Sequence, residues 1–263
     1  MFMEEAMKKY AGLLLLALLV MQGDRADAFY SKLGDEPFVL LTPAYSESTA
    51  LIRASFQHHY LRDQIYSANF AAGIDITADM EASVKFLYHK AEITSGAQSA
   101  LASQKEFSGE ITRSLMKQKQ RNPFDMSLGF GLSSFSSSAE FLSPASNSDN
   151  FFVAFKAVLS KKLRDRWLFN VSPAIVYDSK AVQYSAGICT GAKFFLSEDI
   201  AFFSEFPVVL AKPDGFIQPW SLGAQFKAGP HIITGFITAY AGSTLSHTFR
   251  GGSDTLYGFR FAF

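Results

Sequence analysis

Hydrophobic and polar residues alternate along most of this chain. Between residues 67 and 77 every even position is apolar, from Ala68 to Ile76, whereas the odd positions include Asn69, Gly73 and Asp75. A period of two residues places the two sets on opposite faces of an extended chain. The pattern therefore predicts β-strands that have one apolar face and one face rich in glycine, serine and charge.

The alternation predicts twelve such strands. Their expected bounds are residues 50–60, 66–77, 81–91, 105–116, 124–137, 150–163, 166–178, 182–196, 199–211, 217–228, 231–241 and 254–263. Strands of soluble sheets usually have about five or six residues, whereas a tilted strand needs about 9–11 residues to cross a bilayer. The lengths favour an all-β fold, a single antiparallel transmembrane β-barrel of about twelve strands (range 10–14).

The connections between these strands alternate in length. Short turns are expected at residues 78–80, 164–165, 197–198 and 229–230, with a somewhat longer one at 117–123. On the other rim long loops are expected at residues 92–104, 138–149 and 242–253, whereas 61–65 and 212–216 are intermediate and 179–181 is a short exception. Short periplasmic turns on one rim and longer extracellular loops on the other are typical of transmembrane barrels. A secreted soluble β-sandwich, whose apolar face would be its core, is the alternative fold.

The final strand carries aromatic residues at every second position, namely Tyr257, Phe259, Phe261 and Phe263. One face of this strand is therefore a continuous aromatic stripe. A strand of this kind that ends in phenylalanine resembles the closing strand of bacterial outer-membrane barrels. The resemblance implies that these four residues form an assembly signal, and that the barrel assembly machinery and outer-membrane lipid are partners of the chain.

The first residues predict export. Lys8 and Lys9 precede an apolar run over residues 11–21, and small residues lead up to Ala28. This order is typical of a secretory signal peptide, and the run is too short for a transmembrane helix. We expect a cleaved signal at 1–28, an N-terminal arm or plug segment at 29–49 and a barrel at 50–263, located in the bacterial outer membrane. A retained hydrophobic anchor is the alternative for the first segment.

Composition excludes several function classes. The formal net charge is zero, which argues against a nucleic acid partner. Cys189 is the single cysteine, so the chain forms no internal disulfide, and no cysteine–histidine cluster has the spacing of metal ligands. No cofactor or metal is expected.

The polar face of the predicted strands is the candidate site. Its candidate lumen-lining residues are Arg53, His59, Asp75, Lys85, His89, Glu110, Asp125, Lys156, Lys193, Glu205, Lys227 and Arg260. Their charges are mixed in sign, and neighbouring strands are expected to bring Asp75 near Lys85 and Lys193 near Glu205. Two interpretations stay open: a ladder of charges that cross-links the strands and blocks the lumen, or the lining of a small pore.

A family resemblance rests on four short motifs in the last quarter of the chain. They are Ser204-Glu205-Phe206, Ser221-Leu222-Gly223, Gly229-Pro230-His231 and Gly258-Phe259-Arg260. From about Glu205 to Phe263 the chain resembles an uncharacterised family of bacterial outer-membrane-type β-barrels, a domain of unknown function. The resemblance implies a porin-like barrel fold and an outer-membrane location, and it implies no activity.

The expected function is passive. Twelve strands enclose more space than an eight-stranded barrel and less than a 16-stranded porin, which favours a small diffusion channel. The alternative is a closed barrel that acts as a scaffold or sheath for a periplasmic or surface protein. The third hypothesis is a lipid-facing hydrolase that uses His58 and Ser204, both of which fall on the apolar face. No third orienting group accompanies these two residues, so we do not expect an enzyme.

Overall fold

The computed structural model describes residues 52–61, 65–95, 98–118, 122–139, 150–164, 166–179, 182–210, 216, 218–229, 231–239, 245 and 255–263. The expectations for residues 1–28 and 29–49 lie outside these ranges. Within the described ranges, no helix has the length and apolar character needed to span a membrane.

Twelve strands make up the described part of the chain, as the alternation predicted. They are β1 (Ile52–Leu61), β2 (Ile65–Thr77), β3 (Met80–Ser95), β4 (Gln98–Met116), β5 (Asp125–Ala139), β6 (Asn150–Leu163), β7 (Trp167–Asp178), β8 (Gln183–Phe195), β9 (Ile200–Val209), β10 (Ser221–Ala228), β11 (His231–Thr238) and β12 (Leu256–Ala262). Each strand pairs antiparallel with its neighbours in the chain, and β1 pairs with β12 to close the sheet. The prediction of an all-β, antiparallel, twelve-stranded barrel is confirmed.

The two faces of the barrel have opposite character. Large apolar side chains point outward and are exposed, including Phe70, Phe107 and Phe155, the last two with 57% of their surface accessible. Many inner-facing polar side chains are buried, and Lys193 and Gln225 are both fully inaccessible. A soluble protein buries its large apolar residues and exposes its charges, so this reversed distribution is that of a barrel surrounded by lipid.

Tight turns and aromatic pairs mark the two rims. Asp79 lies in the turn between β2 and β3, on the rim where β1 begins and β12 ends. Trp167 packs on Phe194 near this rim, with ring centroids 4.8 Å apart. At the opposite rim Tyr60 stacks on Tyr257 at 6.0 Å. Outward aromatic side chains at both ends of the strands are typical of the aromatic girdles at membrane surfaces.

The predicted long loop at residues 92–104 is wrong. Strand β3 continues to Ser95 and β4 begins at Gln98, so the two strands form a hairpin with a short connection. Its outer part pairs only with itself, because the register with β2 ends at Lys90 and the register with β5 ends at Ala102. Serine- and alanine-rich composition indicated a loop, but cross-strand hydrogen bonds between the two arms satisfy the backbone whatever the side chains are.

Candidate functional site: the inner wall of the barrel

Strand register places all of the predicted lumen-lining residues at inner-facing positions. For Arg53 and His89 this holds for the backbone position, opposite Gly73 and Ser67 respectively. A residue is inner-facing when the strand register pairs it, directly or through the intervening strands, with a position on the same face as the buried residues Gln57, His59, Ser67 and Asn69. The phase of the alternation in the sequence thus gives the inner face of the ten strands that carry these residues.

Five inner-facing side chains of opposite charge form an inner charged cluster on β3, β4 and β6: Glu81, Lys85, Glu106, Glu110 and Lys156. Lys156 Nζ lies 2.7 Å from Glu110 Oε1. Lys85 interacts electrostatically with Glu110, Glu106 and Glu81, and with the like charge of Lys156. Glu110 also accepts a hydrogen bond of 3.0 Å from the Thr112 hydroxyl. These ionised groups therefore share one region of the inner wall.

The Lys156–Glu110 ion pair joins strands that are not neighbours. Lys156 on β6 reaches Glu110 on β4 across β5, where the register places Gly129 opposite Lys156 and Gly131 opposite Glu110. A Cβ atom on Gly129 would lie 2.8 Å from Lys156 Cε and 3.5 Å from Glu110 Oε1. We call these two glycines the glycine notch. The lysine side chain lies over the notch, in space that any side chain at position 129 would occupy.

A hydrogen-bonded chain lies on β1 and β2. Gln57 Nε2 is 3.0 Å from His59 Nε2, and His59 Nδ1 is 3.3 Å from Ser67 Oγ. Because the amide nitrogen can only donate, His59 accepts at Nε2 and carries its proton on Nδ1, which donates to Ser67. All three residues are buried. This network ties the inner faces of the two strands together.

Aromatic rings lie on glycines along one row of the inner wall, the aromatic–glycine row of Phe203, Gly223, Phe236, Gly258 and His59. The register makes these five residues consecutive partners across β9, β10, β11, β12 and β1. A Cβ at Gly223 would meet the Phe203 ring at 2.5 Å, and one at Gly258 would meet the Phe236 ring at 2.7 Å. The His59 ring packs edge-on against Phe236 at 5.3 Å. Glycine is required here because the neighbouring ring covers its inner face.

Apart from Cys189, which the alternation places on the inner face, the apolar residues inside the barrel were not predicted from the sequence. Among the described residues, the buried apolar cluster consists of Phe135, Phe152, Leu168, Ala174, Val176, Cys189, Phe195, Ala201, Phe203, Val209, Ile232, Phe236 and Ala262. Adjacent aromatic pairs carry the signal that finds some of them: Phe151–Phe152, Phe194–Phe195 and Phe202–Phe203. In a strand, one member of such a pair must point inward.

The two expected charge pairs differ in outcome. Lys193 opposes Phe203 and Glu205 opposes Gly191, so Lys193 and Glu205 occupy diagonal positions on β8 and β9, within reach of long side chains. Glu205 also accepts a hydrogen bond of 2.5 Å from Ser221 Oγ. Asp75, in contrast, opposes Glu81, and Lys85 lies four residues further along β3. That separation is about 13 Å along a strand.

The structure does not bring His58 and Ser204 together. His58 lies on the outer face of β1, with its ring 4.3 Å from Phe56 and 5.5 Å from Phe259. Ser204 lies on β9, and the strands β10, β11 and β12 separate the two. Four strand spacings amount to about 19 Å, far beyond a hydrogen bond.

The four aromatic residues of the predicted assembly signal lie on the outer face of β12 and just after it. Tyr257, Phe261 and Phe263 are exposed, and the Phe259 and Phe261 rings are 5.4 Å apart. Phe263 also packs edge-on against His231 of β11. The aromatic stripe thus faces lipid, and its role in assembly stays a prediction. No group of three histidine, cysteine or acidic side chains in the described part of the chain is arranged to hold a metal ion.

A closed antiparallel sheet with exposed apolar rings outside and buried polar groups inside defines a transmembrane β-barrel. The model of the family described as membrane bound beta barrel domain (DUF5777) matches residues 49–263. The chain belongs to this family. No match to the chain was found among curated protein sequences.

Several solved outer-membrane proteins are similar to this chain in structure. The KdgM porin is 9% identical, with a TM-score of 0.51 over 80% of this chain and 98% of that one. The COG4313 outer membrane channel from Pseudomonas putida F1 is 10% identical, with a TM-score of 0.47 over 80% and 93% of the two chains. LpxR from Salmonella typhimurium is 8% identical, also with 0.47, over 80% and 99%. Identities this low show a common fold only.

Proposed function

We propose that this protein is a small passive diffusion channel of the bacterial outer membrane. The observation that carries the proposal is the inner charged cluster, which remains partly accessible inside a closed barrel. The Glu110 side chain is 22% exposed and that of Lys156 is 9% exposed. Ionised groups inside a membrane protein are stable where water reaches them, and water in a lumen that crosses the membrane is the medium in which small solutes diffuse.

The partly accessible side chains of the inner charged cluster lie on β3, β4 and β6. On the wall formed by β8 to β12 and β1, inner-facing side chains such as Lys193, His59 and Gln225 are fully buried. We expect the path for solutes to pass the inner charged cluster and to be narrow. Because acidic and basic groups both line it, we expect weak ion selectivity. The similarity of the fold to the KdgM porin supports this function.

Single-channel conductance tests the proposal. The full chain, produced in bacterial cells and purified from their membranes in detergent, is added to planar lipid bilayers. Discrete conductance steps are expected. Heat-modifiable gel migration serves as the folding control, because a folded barrel migrates differently from the boiled chain. A folded barrel that stays electrically silent contradicts the channel.

The second candidate is a scaffold for a periplasmic or surface protein. The buried aromatic–glycine row favours it, because rings that fill the inner wall stiffen a barrel and leave less room for solutes. The conductance measurement separates the two functions: silence in a folded barrel favours the scaffold. A hydrolase that uses His58 and Ser204 is not supported, since the two residues lie on distant strands.

A further inference from the structure

The Lys156–Glu110 ion pair crosses the inner face of an intervening strand. Neighbouring inner-facing charges of a barrel pair along the wall, from one strand to the next. This pair instead spans from β6 to β4 and passes over β5 at the glycine notch, with the two charged atoms 2.7 Å apart. The lysine stem takes the place of the side chain that Gly129 lacks.

The pair also lies where charges of both signs meet water. Around it Glu81 and Glu106 carry negative charge and Lys85 carries positive charge. With Lys156 and Glu110 included, the cluster contains three acidic and two basic groups. An ion that follows this wall passes the pair at about 10 Å, so the local potential depends on both of its members.

We propose that the Lys156–Glu110 pair, held over the glycine notch, determines the ion selectivity of the channel. This inference rests on the proposed function. The two residues act in opposite directions: Lys156 lowers the local concentration of cations, and Glu110 lowers that of anions. The pair joins β6 to β4 across the inner face of β5. Removal of either charge therefore changes the electrostatic potential where the solute passes.

Reversal potentials in a potassium chloride gradient test this assignment. Lys156→Met is expected to raise the ratio of cation to anion permeability, and Glu110→Gln to lower it. A unit charge about 10 Å from a permeant ion in water changes the local concentration about two-fold, so the permeability ratio is expected to change about four-fold in each variant. The double variant is expected to return the ratio to within about two-fold of the wild-type value, because the two changes oppose each other.

The matched control is Lys117→Met. Lys117 forms an ion pair of the same length, 2.7 Å, with Asp79, but at the rim and not over the notch. Its selectivity is expected to match that of the wild-type protein.

If Lys156→Met and Glu110→Gln conduct with the wild-type permeability ratio, or if both shift it in the same direction, the assignment is wrong although the protein is a channel. A silent, folded wild-type barrel contradicts the proposed function instead. If a single variant fails to fold, the double variant and the other single variant still decide the sign of the effect.

Discussion

At the scale of single residues, glycines determine what fits on the inner wall. Gly129 leaves space for the Lys156 side chain, and Gly223 and Gly258 leave space for the rings of Phe203 and Phe236. Glycine normally weakens a strand because it has no side chain to pack. Here a side chain from a neighbouring strand covers each glycine. The packing that the glycine itself cannot provide is therefore supplied from the next strand.

Gly223 provides a test with a matched control on the neighbouring strand. Gly223→Ala places a methyl group 2.5 Å from Phe203 Cζ and 2.6 Å from the Gly235 carbonyl oxygen, whereas Gly235→Ala finds no atom within 4 Å. Overpacking of this kind costs about 1–3 kcal/mol, so Gly223→Ala is expected to lower the free energy of unfolding by that amount. Urea unfolding in detergent micelles, followed by tryptophan fluorescence, measures it. Equal stability of the two variants would show that the Phe203 ring moves aside freely.

The sequence is most informative about the faces of the strands and least informative about contacts between distant strands. The phase of alternation placed Lys193, Glu205 and Arg260 on the inner face because a period of two residues depends on local geometry alone. The Lys156–Glu110 pair was not predicted, since it depends on the register of two strand pairs and on the glycines between them. The sequence of a single strand reveals neither its register with other strands nor which glycines lie between two charged residues.

At the scale of elements, the β3–β4 hairpin differs from the other strand pairs. Its outer part pairs only with itself, beyond the last register partners of β2 and β5. The sequence predicted a loop there, because serine, alanine and glycine are common in loops and the apolar positions are few. Pairing of the two arms is the long-range information that composition lacks. The hairpin therefore extends the barrel wall at one point of the rim.

Shortening this hairpin tests whether its outer part supports the barrel. Ala91 and Ala102 are register partners, so residues 92–101 can be replaced by an Asn-Gly turn, which favours the type I′ geometry of two-residue hairpins. We expect the shortened chain to fold and to keep the urea unfolding midpoint of the parent, because no other strand loses a partner. A replacement of the same residues by an equally long Gly-Ser segment is the control for length. A clear fall in the midpoint of the shortened chain would mean that the hairpin stabilises the barrel.

At the scale of the whole molecule, the barrel has two unlike halves. Inner-facing residues of β8 to β12 and β1 pack into rows of rings, glycines and hydrogen-bonded polar groups, whereas the inner charged cluster lies on β3, β4 and β6. In the proposed channel, the packed rows keep the wall rigid and the partly accessible charged cluster lets water reach the wall. A narrow channel needs both, because a lumen of constant width requires a wall that does not deform.

The outward aromatic stripe lies on β12, which closes the sheet by pairing with β1. Deleting Phe263, or replacing it by Ser, is expected to reduce the fraction of heat-modifiable barrel found in bacterial membranes, and Phe263→Tyr is expected to retain it. Refolding of the purified chains in detergent distinguishes two causes. If the deletion refolds as well as the parent in detergent yet assembles poorly in cells, the residue acts as a signal. Unchanged assembly in cells would contradict the signal.

The pairing of β1 with β12 also has a temporal consequence. Ala54 accepts a backbone hydrogen bond of 3.0 Å from Phe263, so residues from the first and last strands of the sheet are direct partners. The backbone N–H and C=O groups at the edge of each of these strands have no partner until the other strand has been made. An open edge with exposed phenylalanines is prone to aggregate in water. Closure of the sheet therefore cannot begin before β12 has been made, and until then both open edges have to be shielded from water.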